Sequence, residues 1–228
     1  MKPLLTAFGI AVTLAAYALS RVVASRYRSP LTTPVFFSTP IVIGALLLSG
    51  LTVEDYRPAK DVMVFLLGPA TVALAIPLYD NRRTLLSNGI AAVAGLITGS
   101  LTTLVAALLL AKLFALPQIV RASIGVKSVT APIAVELARI VHGDATLVAG
   151  FVIATGLIGA MLGPWLMDRS GIRSPLARGL ALGTISHGQG TAQAVSEGEL
   201  QGAAAGIAMG LAAVLTSLVA PVVVPLLL

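Results

Sequence analysis

The stretch that decides the fold is Gly179-Leu-Ala-Leu-Gly-Thr-Ile-Ser-His-Gly-Gln-Gly-Thr-Ala-Gln-Ala-Val-Ser196. It lies between two strongly apolar segments and is long enough to cross a bilayer, yet glycines and polar side chains fill its second half. In hydrocarbon Ser186, His187, Gln189, Thr191 and Gln193 each need a hydrogen-bonding partner, while Gly183, Gly188 and Gly190 weaken the helix around them. Such a segment is stable in a membrane only where protein or a water-filled cavity surrounds it. The rest of the chain is therefore expected to shelter this stretch.

The surrounding composition is that of an integral membrane protein. Of 228 residues, 57% are hydrophobic and 11% charged, with a mean hydropathy of +0.98, whereas soluble domains are about 45–50% apolar and about 25% charged. No polar stretch is long enough for a soluble domain, which needs roughly 50 residues. The net charge of +6 comes from Lys and Arg in short loops, the positive-inside bias of membrane proteins; no basic stripe interleaved with aromatics points to nucleic acid. With no cysteine, disulfides, thiolate catalysis and Cys-ligated metals are excluded. No metal site and no cofactor is expected. Lys2 and the apolar run after it resemble a signal peptide, but the run exceeds a 7–15-residue h-region and lacks a cleavage zone, so it reads as a retained first span.

Seven spans are predicted: residues 4–23, 34–51, 62–79, 88–114, 145–167, 179–196 and 201–228. The third is expected to break at Gly68-Pro69, because proline removes a backbone donor and clashes with the preceding turn. Residues 116–141 carry Arg121, Lys127, Ser128, Thr130, Pro132, Glu136 and Arg139, too many for a lipid-facing helix; they read as a re-entrant or broken element. With that element entering and leaving on one side, the Arg169–Arg178 loop falls inside with Arg21 to Arg28, and the Glu197–Glu199 turn falls outside. Cysteines near Arg173 and Glu199 are then expected to label from opposite faces. Ile43-Gly-Ala-Leu-Leu with Leu67-Gly-Pro-Ala-Thr71 matches Ile158-Gly-Ala-Met-Leu with Leu182-Gly-Thr. Residues 34–114 and 145–228 are accordingly expected to form inverted repeats around midplane broken helices, as in secondary transporters. The fold class is all-α and polytopic, with residues 1–228 as one membrane domain.

Three polar interruptions carry the candidate chemistry: Gly68 to Thr71, Lys127 to Pro132, and Gly183 to Thr191. Each sets a helix breaker beside hydroxyls. A broken helix leaves unpaired N–H groups with partial positive charge at its N-terminus, suited to an anion. Thr71, Lys127, Ser128, Thr130, Ser186, His187 and Thr191 are the candidate substrate-binding residues. The expected helix breaks are Gly68, Pro69, Pro132, Gly183, Gly188 and Gly190. His187 is a candidate hydrogen-bond donor or proton carrier, since free histidine titrates near pH 6.5. Glu136 is the other candidate for ion coupling, with Arg139 three residues on and able to pair with it. His142, beside Gly143 and Asp144, reads as a loop residue. No Gly-x-Ser-x-Gly elbow, His-Glu-x-x-His or P-loop is present, and adjacent Ser186 and His187 point about 100° apart on a helix; no enzymatic activity is expected.

At Lys127-Ser-Val-Thr-Ala-Pro-Ile-Ala134, and again at Ala177-Arg-Gly-Leu-Ala-Leu-Gly-Thr-Ile-Ser-His-Gly-Gln-Gly-Thr-Ala192 followed by Glu197-Gly-Glu, the chain closely resembles the LrgB/CidB family. The likeness covers nearly its whole length. One departure lies in the second motif, where the family pattern Ala-Ile-Gly is replaced by Gly188-Gln189-Gly190. The resemblance implies a multi-pass protein of the inner (plasma) membrane with one of two functions. One is antiholin-like control of murein hydrolases and cell lysis, with a small LrgA/CidA-type membrane partner or a homo-oligomer. The other is transport of small monocarboxylates such as pyruvate or glycolate, since the plastid glycolate/glycerate translocator contains a similar domain. An anion-suited broken-helix core favours transport by alternating access.

Overall fold

The computed structural model describes residues 2–27, 29–73 and 75–228, with only the backbone of Lys2, Leu67 and Thr71. Every regular element among them is a helix. The chain divides into two compact units, Met1–Ala75 and Ile76–Leu228, and the expected repeat 34–114 straddles the boundary between them.

The first unit holds α1 (Lys2–Arg26), a 3-10 turn (Pro30–Thr32), α2 (Pro34–Leu48) and α3 (Val53–Ala73). Gly9 lets α1 approach α3 closely: a Cβ there would lie 2.8 Å from the Ala59 Cβ, and one turn on, the Thr13 and Tyr56 hydroxyls meet at 2.8 Å. Two expectations change. The mixed-charge segment from Glu54 to Asp61, which the predicted spans 34–51 and 62–79 leave as a connection, is the start of α3, nucleated by a reciprocal cap in which the Thr52 N–H donates to Asp55 Oδ2 at 2.9 Å and the Asp55 N–H to Thr52 Oγ1 at 3.3 Å. Gly68 and Pro69 do not break the helix, which runs through them and through Pro58 to Ala73; each proline forfeits one backbone bond, and flanking turns hold the helix across the gap.

The unit boundary falls after the first residue of α4 (Ala75–Asp80), and the second unit continues with another short helix, α5 (Arg82–Ser87). It continues through α6 (Gly89–Leu113), α7 (Gln118–Gly125), α8 (Ala131–Ile140), α9 (Ala145–Arg169), α10 (Pro175–Glu197) and α11 (Glu199–Leu227). Residues 116–141 form a broken element, as expected: α7 and α8 are separated by the irregular residues 126–130. Its far ends converge, since the Asp144 N–H donates to Ser123 Oγ at 2.8 Å and Gln118, Val141 and His142 flank one cavity. The element thus enters and leaves at the end of α9 marked by Asp144. Arg121 and Lys112 reach the last main-chain oxygens of α11 at that same end.

The largest correction concerns α10, which does not span. Its backbone leaves helical geometry at His187 (φ 41°, ψ −127°), and the chain doubles back there. In a straight helix Arg178 and Glu197 would be about 28 Å apart; here Arg178 Nε donates to Glu197 Oε2 at 2.7 Å. Arg178 Nη1 also reaches Asp168 Oδ1 at 2.6 Å, so both ends of α10 lie at the Asp168 end of α9. Arg173 and Glu199 therefore flank the same end, against the expected opposite faces. The break falls on His187 itself and on none of the glycines proposed for it. Gly183 and Gly190 instead permit close approach: Cβ atoms there would lie 2.2 Å from Ala205 O and 2.1 Å from Leu182 O. Pro132 likewise starts α8 from its first turn, where proline is tolerated.

Among the described residues, five apolar runs are long enough to cross a membrane: Pro3–Arg26, Val53–Asp80, Gly89–Leu113, Ala145–Arg169 and Glu199–Leu227. Pro34–Leu48 is apolar but shorter, about 22 Å against a hydrocarbon core of about 30 Å. In the second unit α6, α9 and α11 alternate in direction, while α7–α8 and α10 dip in from opposite ends, each reaching about halfway.

Candidate functional site at the hairpin tips

The tips of the two hairpins come near one another about halfway along the long helices. On one side, Lys127 Nζ donates to Thr103 Oγ1 and to Ser128 Oγ, both at 3.2 Å, and these two hydroxyls lie 3.3 Å apart. Thr103 sits near the centre of α6, about 15 Å from its Leu113 end. No carboxylate among the described residues lies within ion-pair distance of Lys127. A half-buried ammonium at membrane depth with only hydroxyl partners is costly, and it favours an anion beside it.

On the other side, the bend of α10 is seated in a hollow of α9. At Gly159 a Cβ would lie 1.8 Å from Ser186 Oγ, and at Gly156 it would lie 2.7 Å from His187 Cε1 and 2.6 Å from Gln189 Oε1. The glycines of α9 thus make room for the tip. His187 Nε2 lies 3.1 Å from Val152 O; a carbonyl only accepts, so Nε2 carries the proton and Nδ1 is the acceptor in the neutral ring. The positive φ of His187 is uncommon for a non-glycine residue and is held by packing, since its ring is 6% exposed. Lys127 lies within electrostatic reach of His187, so the two tips are neighbours. The helix restarts at residue 188, and α8 starts at Ala131 without a side-chain cap from Thr130. The first N–H groups of both half-helices therefore lack intrahelical acceptors at mid-depth.

The structure sorts the sequence candidates. Lys127, Ser128, Thr130, Ser186 and His187 come to the two tips. Thr191 does not face outward from its tip: its hydroxyl donates to His187 O at 2.9 Å and is 3.4 Å from Ala205 O, fastening the hairpin to α11. Glu136 stays away from the site, paired with Arg139 at 2.9 Å with both side chains about two-thirds exposed. The Thr71 side chain lies outside the described residues. Three residues went unassigned. Thr103 and Ser100 sit in what reads as an ordinary span, where only the hydroxyl cluster Ser100-Leu-Thr-Thr103 signals them; Gln189 was visible in the polar stretch but given no role. The Ser100 hydroxyl and Gln189 Oε1 are buried without a hydrogen-bond partner.

The LrgB-like family model matches residues 13–226. The chain belongs to the LrgB-like family. It is 34% identical over 193 residues to the antiholin-like protein LrgB of Bacillus subtilis, covering 84% of each chain. It is 30% identical over 186 residues to the holin-like protein CidB of Staphylococcus epidermidis, covering 82% of this chain and 81% of that one. The uncharacterized protein YxaC of Bacillus subtilis is 34% identical over 190 residues, 83% of each chain. No solved structure matches this LrgB-like chain. Its hairpin tips fall within the matched residues.

Proposed function

We propose that this LrgB-like protein binds a small carboxylate between the two hairpin tips and carries it across the membrane by alternating access. The observation that carries the reading is Lys127, a cation without a carboxylate partner among the described residues, lying where two half-length hairpins from opposite ends converge. Half-helix N-termini and a nearby ammonium can together replace the hydration of a carboxylate. Water shut out by the packed arms strengthens each of those interactions. In place of the expected repeat of residues 34–114 and 145–228, this reading pairs α6 and the α7–α8 hairpin with α9 and the α10 hairpin. His187 Nδ1, left free by the Val152 bond, is the group that would take up a coupled proton.

The names of the relatives favour a second reading, and favour it over transport: holin-like and antiholin-like proteins point to control of lysis with an LrgA/CidA-type partner. Nothing in those names speaks of a carboxylate. A regulatory role of that kind needs association within the membrane and does not need a cation-lined pocket.

Uptake of labelled pyruvate, glycolate and lactate into liposomes containing the purified protein separates the two. Saturable uptake that is lost in Lys127→Met supports transport. Absence of saturable uptake, alone or with an LrgA-type partner, refutes it; graded dye leakage that ignores substrate supports the lysis-control reading.

A further inference from the structure

We infer that Ser100 is the ligand-binding residue that α6 contributes to the site, its hydroxyl donating to an oxygen of the bound carboxylate. The inference rests on the anion-site reading above and extends it to a third wall. Three other helical serines, Ser20 and Ser123 buried and Ser217 half-buried, dispose of their protons within their own helices. Ser20 donates to Ala16 O at 2.6 Å, Ser123 to Ile119 O at 2.7 Å and Ser217 to Ala213 O at 2.8 Å, each four residues back. Ser100 is 5% exposed, and its Oγ has no partner at all. A buried hydroxyl left unpaired is a net cost unless something else meets it.

Its position says what that would be. Ser100 belongs to the buried stripe Leu96, Ser100, Leu104, Ala107 and Ala111 that α6 turns into the unit. One turn on is Thr103, which holds Lys127. The preceding residue, Gly99, would carry a Cβ 3.5 Å from the Thr184 methyl of α10. Ser100 therefore lies on α6 between contacts to the two hairpins, one turn from the threonine that holds the ammonium. Chemistry narrows the ligand further: a hydroxyl next to a lysine and a threonine that already serves that lysine supplies a donor to an acceptor-rich group. A compact carboxylate matches this, with one oxygen toward Lys127 and one toward Ser100.

The test uses the detergent-purified full chain titrated with sodium acetate, pyruvate and glycolate, with sodium chloride as the control for ionic strength. Affinity and thermal unfolding without ligand are both read. Ser100→Ala is expected to weaken carboxylate binding about tenfold, equivalent to about 1.4 kcal/mol, while leaving the ligand-free midpoint unchanged or higher, because an orphaned hydroxyl has been removed. Ser100→Thr keeps the donor and is expected to recover part of the affinity. If Ser100→Ala lowers the ligand-free midpoint by several degrees and leaves affinity intact, the serine is structural and the inference fails. Binding by the wild type that Ser100→Ala leaves unchanged overturns this inference alone. A wild type that binds none of the three acids overturns the anion-site reading, and this inference with it.

Discussion

The base of the α10 hairpin offers the sharpest test of the architecture. Arg178 fastens the two arms by donating to Glu197 at 2.7 Å and to Asp168 at 2.6 Å. Its side chain and that of Glu197 are only 12% and 14% exposed, whereas Asp168 is 70% exposed. In Arg178→Gln, Asp168 is rehydrated at a cost of roughly 0–1 kcal/mol. Glu197 is another matter, because its second oxygen is already buried without a partner. Breaking a fully buried pair costs about 3–5 kcal/mol; with some exposure remaining, about 2–3 kcal/mol is expected here. At roughly 2–4 °C per kcal/mol for a chain of this size, the total of about 3 kcal/mol lowers the unfolding midpoint by about 6–12 °C. Arg178→Gln combined with Glu197→Gln removes the stranded charge and should regain more than half of the loss. The absence of native cysteine allows a parallel topology measurement. Single cysteines replacing Arg173 and Glu199 should react with an impermeant reagent from the same face. An unchanged midpoint in Arg178→Gln, with the two cysteines reacting from opposite faces, would refute the re-entrant hairpin.

Further outcomes follow from the packing of the tips. Gly183→Ala pushes a methyl against Ala205 O, 2.2 Å away, and should cost about 1–3 kcal/mol in thermal unfolding; Gly188→Ala meets open space and should gain up to about 1 kcal/mol. Gly159→Ala collides with Ser186 Oγ and should unseat the tip, seen as a lower unfolding midpoint, whereas Gly159→Ala with Ser186→Gly should restore the midpoint. Lys127→Met is expected to weaken carboxylate binding at least tenfold without lowering the ligand-free midpoint, since the cation it removes has no carboxylate partner. Asp55→Ala opens the cap of α3 and should lower the denaturation midpoint slightly, measured in detergent.

Much of the fold is legible in single residues. Long Ala/Leu/Val runs can only be α6, α9 and α11, and the charges between Arg121 and Arg139 exclude a lipid-facing span. What misled is that length and direction are separate properties. Pro175–Glu197 has the residues for a full crossing, and nothing local distinguishes a straight helix of 23 residues from two arms folded at His187. The deciding interactions are tertiary: Gly156 and Gly159 receive the tip, and Arg178 closes the base. Counting residues 179–196 as a full crossing is what puts the Glu197–Glu199 turn on the opposite face, since acidic residues contribute little to the positive-inside rule. Proline misled in the other direction. Pro69 sits inside an intact α3, where one missing donor is a local defect and a helix on either side sustains it. At the site, Lys127 and Ser128 were legible because a cation and a breaker coincide there; Ser100 and Thr103 were not, because hydroxyls in a helix usually satisfy themselves.

The doubled-back α10 also constrains how the protein is made. An arm of ten to twelve residues is too short to enter the bilayer as an independent segment, and its polar bend gains nothing from lipid. Its grip is on α11, through Gly179 against Gln201, Gly183 against Ala205 and Val195 against Gly202, and all of those partners are synthesised after it. Its seat in α9 is already made when the hairpin emerges, but these partners on α11 are not, so the hairpin can be fully packed only when the last helix is in place.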